Sequence, residues 1–134
     1  DDCLRGAAIA GLPDGLHNLC HSGIEIDGVY FYGLPMFVAD ELNGDYEKAI
    51  SRIPSDTDVL ITHQPSYGIL DFTEGVHYGN ISLLGRVLSI KPRLHLFGHV
   101  HKANGKLEAH DTLYVNGSLV SGMKIAYTPQ LIHL

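Results

Sequence analysis

Two short apolar runs constrain this chain more than any other feature. They are Val59-Leu60-Ile61-Thr62 and Leu94-His95-Leu96-Phe97. Each is too short for a helix and carries almost no polar alternation, the pattern of a strand covered on both faces in a parallel sheet. Between them Ile81, Leu84, Val87 and Leu88 recur at helical spacing, and Lys91-Pro92 stops the pattern. Strand, helix, strand is a βαβ unit with a right-handed crossover.

The remaining segments are arranged around that unit. Residues 3–10 are expected to form a short helix, ended by the turn cluster Gly11-Leu12-Pro13-Asp14-Gly15. Ile24 and Ile26 alternate with Glu25 and Asp27, and Asp27-Gly28 then supplies a two-residue turn into Val29 and Phe31. A second helix is predicted over 43–53, capped by Asn43, with Tyr46, Ala49, Ile50 and Ile53 on one face. Residues 64–79 are rich in Pro, Gly, Asp and aromatics and read as a loop. Lys106–Ala109 pairs with Thr112–Val115, and 123–127 and 130–134 read as two more strands about Thr128-Pro129. The class is α/β, with mixed sheets, one βαβ unit and flanking hairpins.

A chain of 134 residues makes one domain with a real core, spanning 1–134. Its net charge of −6 leaves no basic footprint for nucleic acid. No apolar run reaches the ~20 residues of a membrane-spanning helix. The two cysteines, Cys3 and Cys20, with no secretory segment in the sequence, read as reduced thiols and a cytoplasmic location.

Chemistry gathers where the two runs end. Open α/β sheets bind ligands beyond the carboxyl ends of their strands. The first run leads straight into His63, and the second into Gly98-His99-Val100-His101. In extended chain, His99 and His101 point the same way, and His63 on the neighbouring strand reaches the same place. Three imidazoles suit a borderline divalent ion such as Zn, Mn or Fe. Of the nine histidines, His17, His21, His110 and His133 read as surface residues and His95 as a packed one. Gln64, Tyr67 and His77 are substrate-side candidates. Leu96→Ala is expected to cost about 2–5 kcal/mol through lost burial and a cavity.

Leu96-Phe97-Gly98-His99-Val100-His101 resembles the G-H-x-H signature of the calcineurin-like metallophosphoesterases. Ile61-Thr62-His63-Gln64-Pro65 resembles the single-histidine motif before it, and Tyr114-Val115-Asn116-Gly117-Ser118 the N-x-S strand and turn after it. The resemblance covers nearly the whole chain and is closest to small bacterial and animal phosphohydrolases of that superfamily. It implies a hydrolase in which two cations clamp the phosphate oxygens and the attacking solvent. By position, His63 and His99 would ligate one ion and His101 the other. Substrates would be phosphomonoesters or phosphodiesters, nucleotide-type ones among them.

The chain departs from that family in its first half. It contains no D-x-H, no G-D after a strand and no G-N-H-D or G-N-H-E. Asp1 is matched to the last residue of G-N-H-D, so the chain is expected to be the C-terminal half of the metallophosphoesterase α/β sandwich. Alone it would lack the bridging carboxylate and be nearly inactive. An exposed sheet face would need a second copy or the missing half to cover it. The alternatives are a non-catalytic half domain that binds one metal or a partner protein, and a mononuclear zinc hydrolase built on His63, His99 and His101.

Overall fold

The structure is a computed structural model that describes residues 13–35 and 42–134. The expected helix over 3–10 lies outside the described residues. Asp27 and Gly28 have φ values of 51° and 77°. Two positive-φ residues in a row make a turn whose twist matches that of strands. They join β1 (Ser22–Ile26) to β2 (Val29–Leu34), with Ile26 opposite Val29.

β2 also pairs in parallel with β3 (Val59–Thr62), so the intervening α1 (Asp45–Ser51) is itself a crossover helix. The fold therefore holds two crossovers where the sequence suggested one. Val29-Tyr30-Phe31-Tyr32-Gly33-Leu34 carries no charged side chain because β2 lies inside the sheet and packs on both faces, Tyr32 and Leu34 on one and Val29 and Phe31 on the other. From β3 the chain passes through a two-strand ladder, β4 (Phe72–Thr73) and β5 (Val76–His77), inside the segment expected to be plain loop. It then enters α2 (Ile81–Ile90) and β6 (Leu94–Phe97), which runs parallel to β3. β7 (Gly105–Ala109) and β8 (Thr112–Asn116) follow as a hairpin, with β8 parallel to β6. The main sheet has the order β1-β2-β3-β6-β8-β7.

Local chemistry sets the helix ends. The Asn80 side chain accepts from the Leu83 N–H at 2.8 Å and starts α2. α1 differs from expectation: its N-cap is Gly44 at φ 69°, with no side-chain cap, so Asn43 does not fill that role. Glycine in the left-handed region turns the chain into the helix one residue later than an Asn43 cap would. The last strands also differ. β9 (Val120–Ser121) and β10 (Lys124–Ile125) pair around Gly122, whose φ is 63°, and 128–134 form no strand. Pro129 offers no N–H to a ladder there.

Both helices lie on one face of the sheet. Tyr46, Ala49, Ile50 and Ile53 of the first segment and Leu83 and Val87 of the second pack with Tyr32, Leu34, Leu60, Phe97 and Tyr114. Arg86 ties the two helical segments to each other by donating to the Ile53 carbonyl. The opposite face carries Val59, Leu94 and Val115, fully buried, surrounded by Val29, Phe31, Ile61, Leu96, Leu113 and Ile132, which are only partly buried. Among the described residues no helix is long and apolar enough to cross a membrane.

Candidate functional site

The parallel strands β2, β3, β6 and β8 finish on one edge, with Leu34 beside Thr62 and Phe97 beside Asn116. The segments that leave these strands therefore emerge side by side. The Gly98 N–H donates to the His63 carbonyl at 3.2 Å, pinning the two histidine segments to each other. His63 Nε2 lies 3.0 Å from His99 Nδ1, with the rings edge-on at 64° and centroids 4.8 Å apart.

His99 reaches this place through an unusual backbone. Its φ is 67°, and the Val100 N–H donates to the Gly98 carbonyl at 2.7 Å across it. A three-residue turn of positive φ is rare for a residue with a Cβ and concentrates at functional positions. The segment 98–101 is thus bent, not extended as the i, i+2 spacing suggested. His101 opens a 3₁₀ turn (His101–Ala103) and is exposed, sharing with His99, Tyr78, Thr73, Glu74 and Lys102 an open groove beside the strand ends. The structure thus joins His63 to His99 and sets His101 along the groove. Among the described residues no group of three or more His, Cys, Asp or Glu side chains is close enough to hold a metal.

Asn116 fixes the bend. It is 0% exposed, and its Nδ2 donates to the Val100 carbonyl at 2.8 Å and to the Leu70 carbonyl at 3.3 Å. Its Oδ1 accepts from the Ser118 N–H at 3.0 Å. The sequence pointed to Asn116 only through a motif resemblance. The signal for its role is a lone amide closing an otherwise apolar strand, where a buried polar group must be bonded.

Burial governs the histidine charges. It lowers the His63 pKa, and the neighbouring His99 lowers it further. His95 is 0% exposed, and burial takes it down to about 3. Thr62 Oγ1 donates to the Gln64 carbonyl, which leaves it to accept from His95 Nε2 at 2.9 Å. His95 is a bonded core residue, as the sequence suggested.

The substrate-side candidates separate. Gln64 is 4% exposed and turned into the core, whereas Tyr67 is 40% exposed. His77 sits near Tyr67, with ring centroids 4.9 Å apart. The loop carrying them is closed at its neck, where the Tyr67 N–H donates to Asn80 and the Asn80 N–H to Pro65, at 3.1 and 3.0 Å. A Cβ on Gly79 would stand 2.5 Å from the Ser66 carbonyl oxygen and 2.6 Å from Tyr67 Cα, backbone atoms that cannot step aside. Gly79→Ala is therefore expected to cost roughly 2 kcal/mol or more and to open the loop. Limited proteolysis would cut the variant within 66–80 and spare the parent; equal resistance would refute the closed neck.

An α/β sheet with imidazoles paired at its strand ends presents them at the edge where open α/β sheets bind ligands. The homologues of this chain include metallophosphoesterase-like proteins, so the kinship with the calcineurin-like superfamily holds over the aligned part of the chain. A UPF0046 protein of Caenorhabditis elegans is 36% identical over 124 residues, covering 81% of this chain and 41% of that protein. A second from the same organism is 31% identical over 124 residues, covering 83% and 44%. Metallophosphoesterase domain-containing protein 1 of Homo sapiens is 41% identical over 70 residues, covering 50% of this chain and 22% of that protein. The chain spans less than half the length of these relatives. One crystal structure shares the fold, with a TM-score of 0.53 at 18% identity over 73% of this chain and 44% of that one. No protein-family model matches the chain.

Proposed function

We propose that the chain is the C-terminal portion of a metal-dependent phosphoric-ester hydrolase and supplies the imidazole side of its metal centre. The observation that carries this is the 3.0 Å separation of His63 Nε2 and His99 Nδ1. Two nitrogens each about 2.1 Å from one ion, at neighbouring coordination positions, stand about 3.0–3.4 Å apart. The pair therefore fits as two ligands of a single Zn, Mn or Fe ion. His101, further along the groove, is assigned to a second ion. When bound, divalent metal supplies Lewis-acid polarisation of a phosphoryl group. This chain's own residues hold the two imidazoles in register and keep the bend at His99 rigid through Asn116. The bridging carboxylate and the Asn-His pair of the superfamily are assigned to a polypeptide outside these 134 residues, and the chain alone is assigned little turnover. The substrate is a phosphomonoester or phosphodiester in a cytoplasmic setting.

His99→Ala is expected to weaken Mn²⁺ or Zn²⁺ binding by more than roughly tenfold, with the fold retained, because it removes a ligand and no core volume. Calorimetric titration of the chain and of His63→Ala beside it measures this. Affinity that survives both substitutions would abolish the assignment.

A non-catalytic half domain is the second reading. It is favoured by the half-covered apolar face around Ile61, Leu96 and Leu113, which suits a protein partner or a second copy. Turnover of a phosphodiester on adding the relatives' N-terminal segment in trans distinguishes the two.

A further inference from the structure

Asp71 is a carboxylate buried to 1% exposure in a loop whose Tyr67, Phe72 and Val76 face solvent. Its Oδ2 accepts from the Gly68 and Gly79 N–H groups, each at 3.0 Å. Its Oδ1 is 2.8 Å from His77 Nδ1. The carboxylate accepts, so Nδ1 carries the hydrogen and the ring has one orientation. Nε2, on the far side of the imidazole, points away from the buried acid, and the His77 side chain is 40% exposed.

The surroundings are equally specific. Tyr67 and Phe72 flank the imidazole, each with its ring centroid 4.9 Å away. Both are themselves 40% and 55% exposed, and Phe72 is the cross-strand partner of His77 in the β4–β5 ladder. The loop springs from His63, returns the Tyr78 ring to 6.2 Å from that of His99, and is held from below by Asn116 through the Leu70 carbonyl. An oriented imidazole between two exposed aromatic rings, on a loop anchored at the histidine edge, has the layout of a ligand contact. A clamp alone would use Asp71 and the two backbone N–H groups and would have no use for three uncovered rings.

We propose that Asp71 and His77 form a substrate-positioning pair. Asp71 sets the imidazole so that Nε2 meets an oxygen of a phosphate ester, the two atoms sharing one proton. Tyr67 and Phe72 receive an aromatic or apolar group on that ester. The pair thus selects phosphate esters with an aryl-like substituent over inorganic phosphate. This deepens the phosphoester function proposed above and rests on it.

His77→Asn separates this role from a structural one. The asparagine amide N–H replaces Nδ1–H toward Asp71 and keeps the loop clamp, while Nε2 is lost. In the full 134-residue chain without metal, phenyl phosphate is expected to shift the His77 ring resonances saturably. His77→Asn should unfold at the same urea concentration as the parent and bind phenyl phosphate at least tenfold more weakly. Phe72→Ala should weaken phenyl phosphate and leave inorganic phosphate unchanged. Parent-like binding by His77→Asn, or phenyl phosphate that leaves the His77 resonances unmoved in the parent, overturns the proposal; the second measurement needs no variant to fold. Mn²⁺ broadening of the His63 and His99 resonances tests the metal centre separately. Its absence, with phosphate still seated at His77, sinks the metal assignment alone.

Discussion

Leu60→Ala is expected to lower the free energy of unfolding by about 2–5 kcal/mol. Leu60 is 0% exposed and sits on β3, between β2 and β6, where both helices press on the same cluster. Truncation removes its buried methyl groups and leaves a void that neighbours on two strands and two helices cannot all move to fill. Leu96→Ala, for which the sequence alone implied a comparable loss, is expected to cost under about 2 kcal/mol. Leu96 lies on the other face and is only partly buried, so less contact is lost. Urea unfolding of the two variants side by side checks this. Equal losses would mean that the second face is packed as tightly as the helical one.

Acid is expected to weaken the fold through His95. Its pKa is about 3 when folded and near 6.5 when unfolded. Between those values the unfolded chain binds a proton that the native one refuses, so stability rises with pH across the window and falls on acidification. The slope from this group is about 1.4 kcal/mol per pH unit, or about 2 kcal/mol lost by pH 5. His63, whose pKa is also lowered, acts in the same direction. In His95→Leu the Thr62 hydroxyl keeps its Gln64 carbonyl, and the side chain can no longer protonate. Unfolding midpoints of this variant should therefore change less between pH 7.5 and 5 than those of the parent. Identical pH slopes would show that His95 does not carry the effect.

Much of the frame was legible because burial writes itself into composition. Val59–Thr62 and Leu94–Phe97 are strands with the same limits as the apolar runs, since a strand covered on both faces tolerates little polarity. Asp27-Gly28 was legible for a different reason, namely a local conformational demand that few other residues meet. β2 was half legible: its hairpin partner is adjacent in sequence, whereas its parallel pairing with β3 crosses a helix and leaves no local mark. The site divided in the same way. That His63 and His99 leave neighbouring strand ends could be read from order and spacing. The positive φ at His99 could not, because Asn116, seventeen residues later, imposes the bend by holding the Val100 carbonyl. Asp71 was hidden likewise, though His77 beside it was a candidate: an acid in a loop looks solvated until the Gly68 and Gly79 N–H groups are seen to fold around it.

Asn116 has one more effect. A single amide nitrogen grips both the carbonyl behind the His99 bend and the carbonyl of Leu70, one residue before Asp71. The imidazole pair and the aromatic loop therefore share a mechanical joint, and neither can swing without tugging on the other. Lesions on the two sides should not add independently: once one has slackened the joint, a second has less left to disturb.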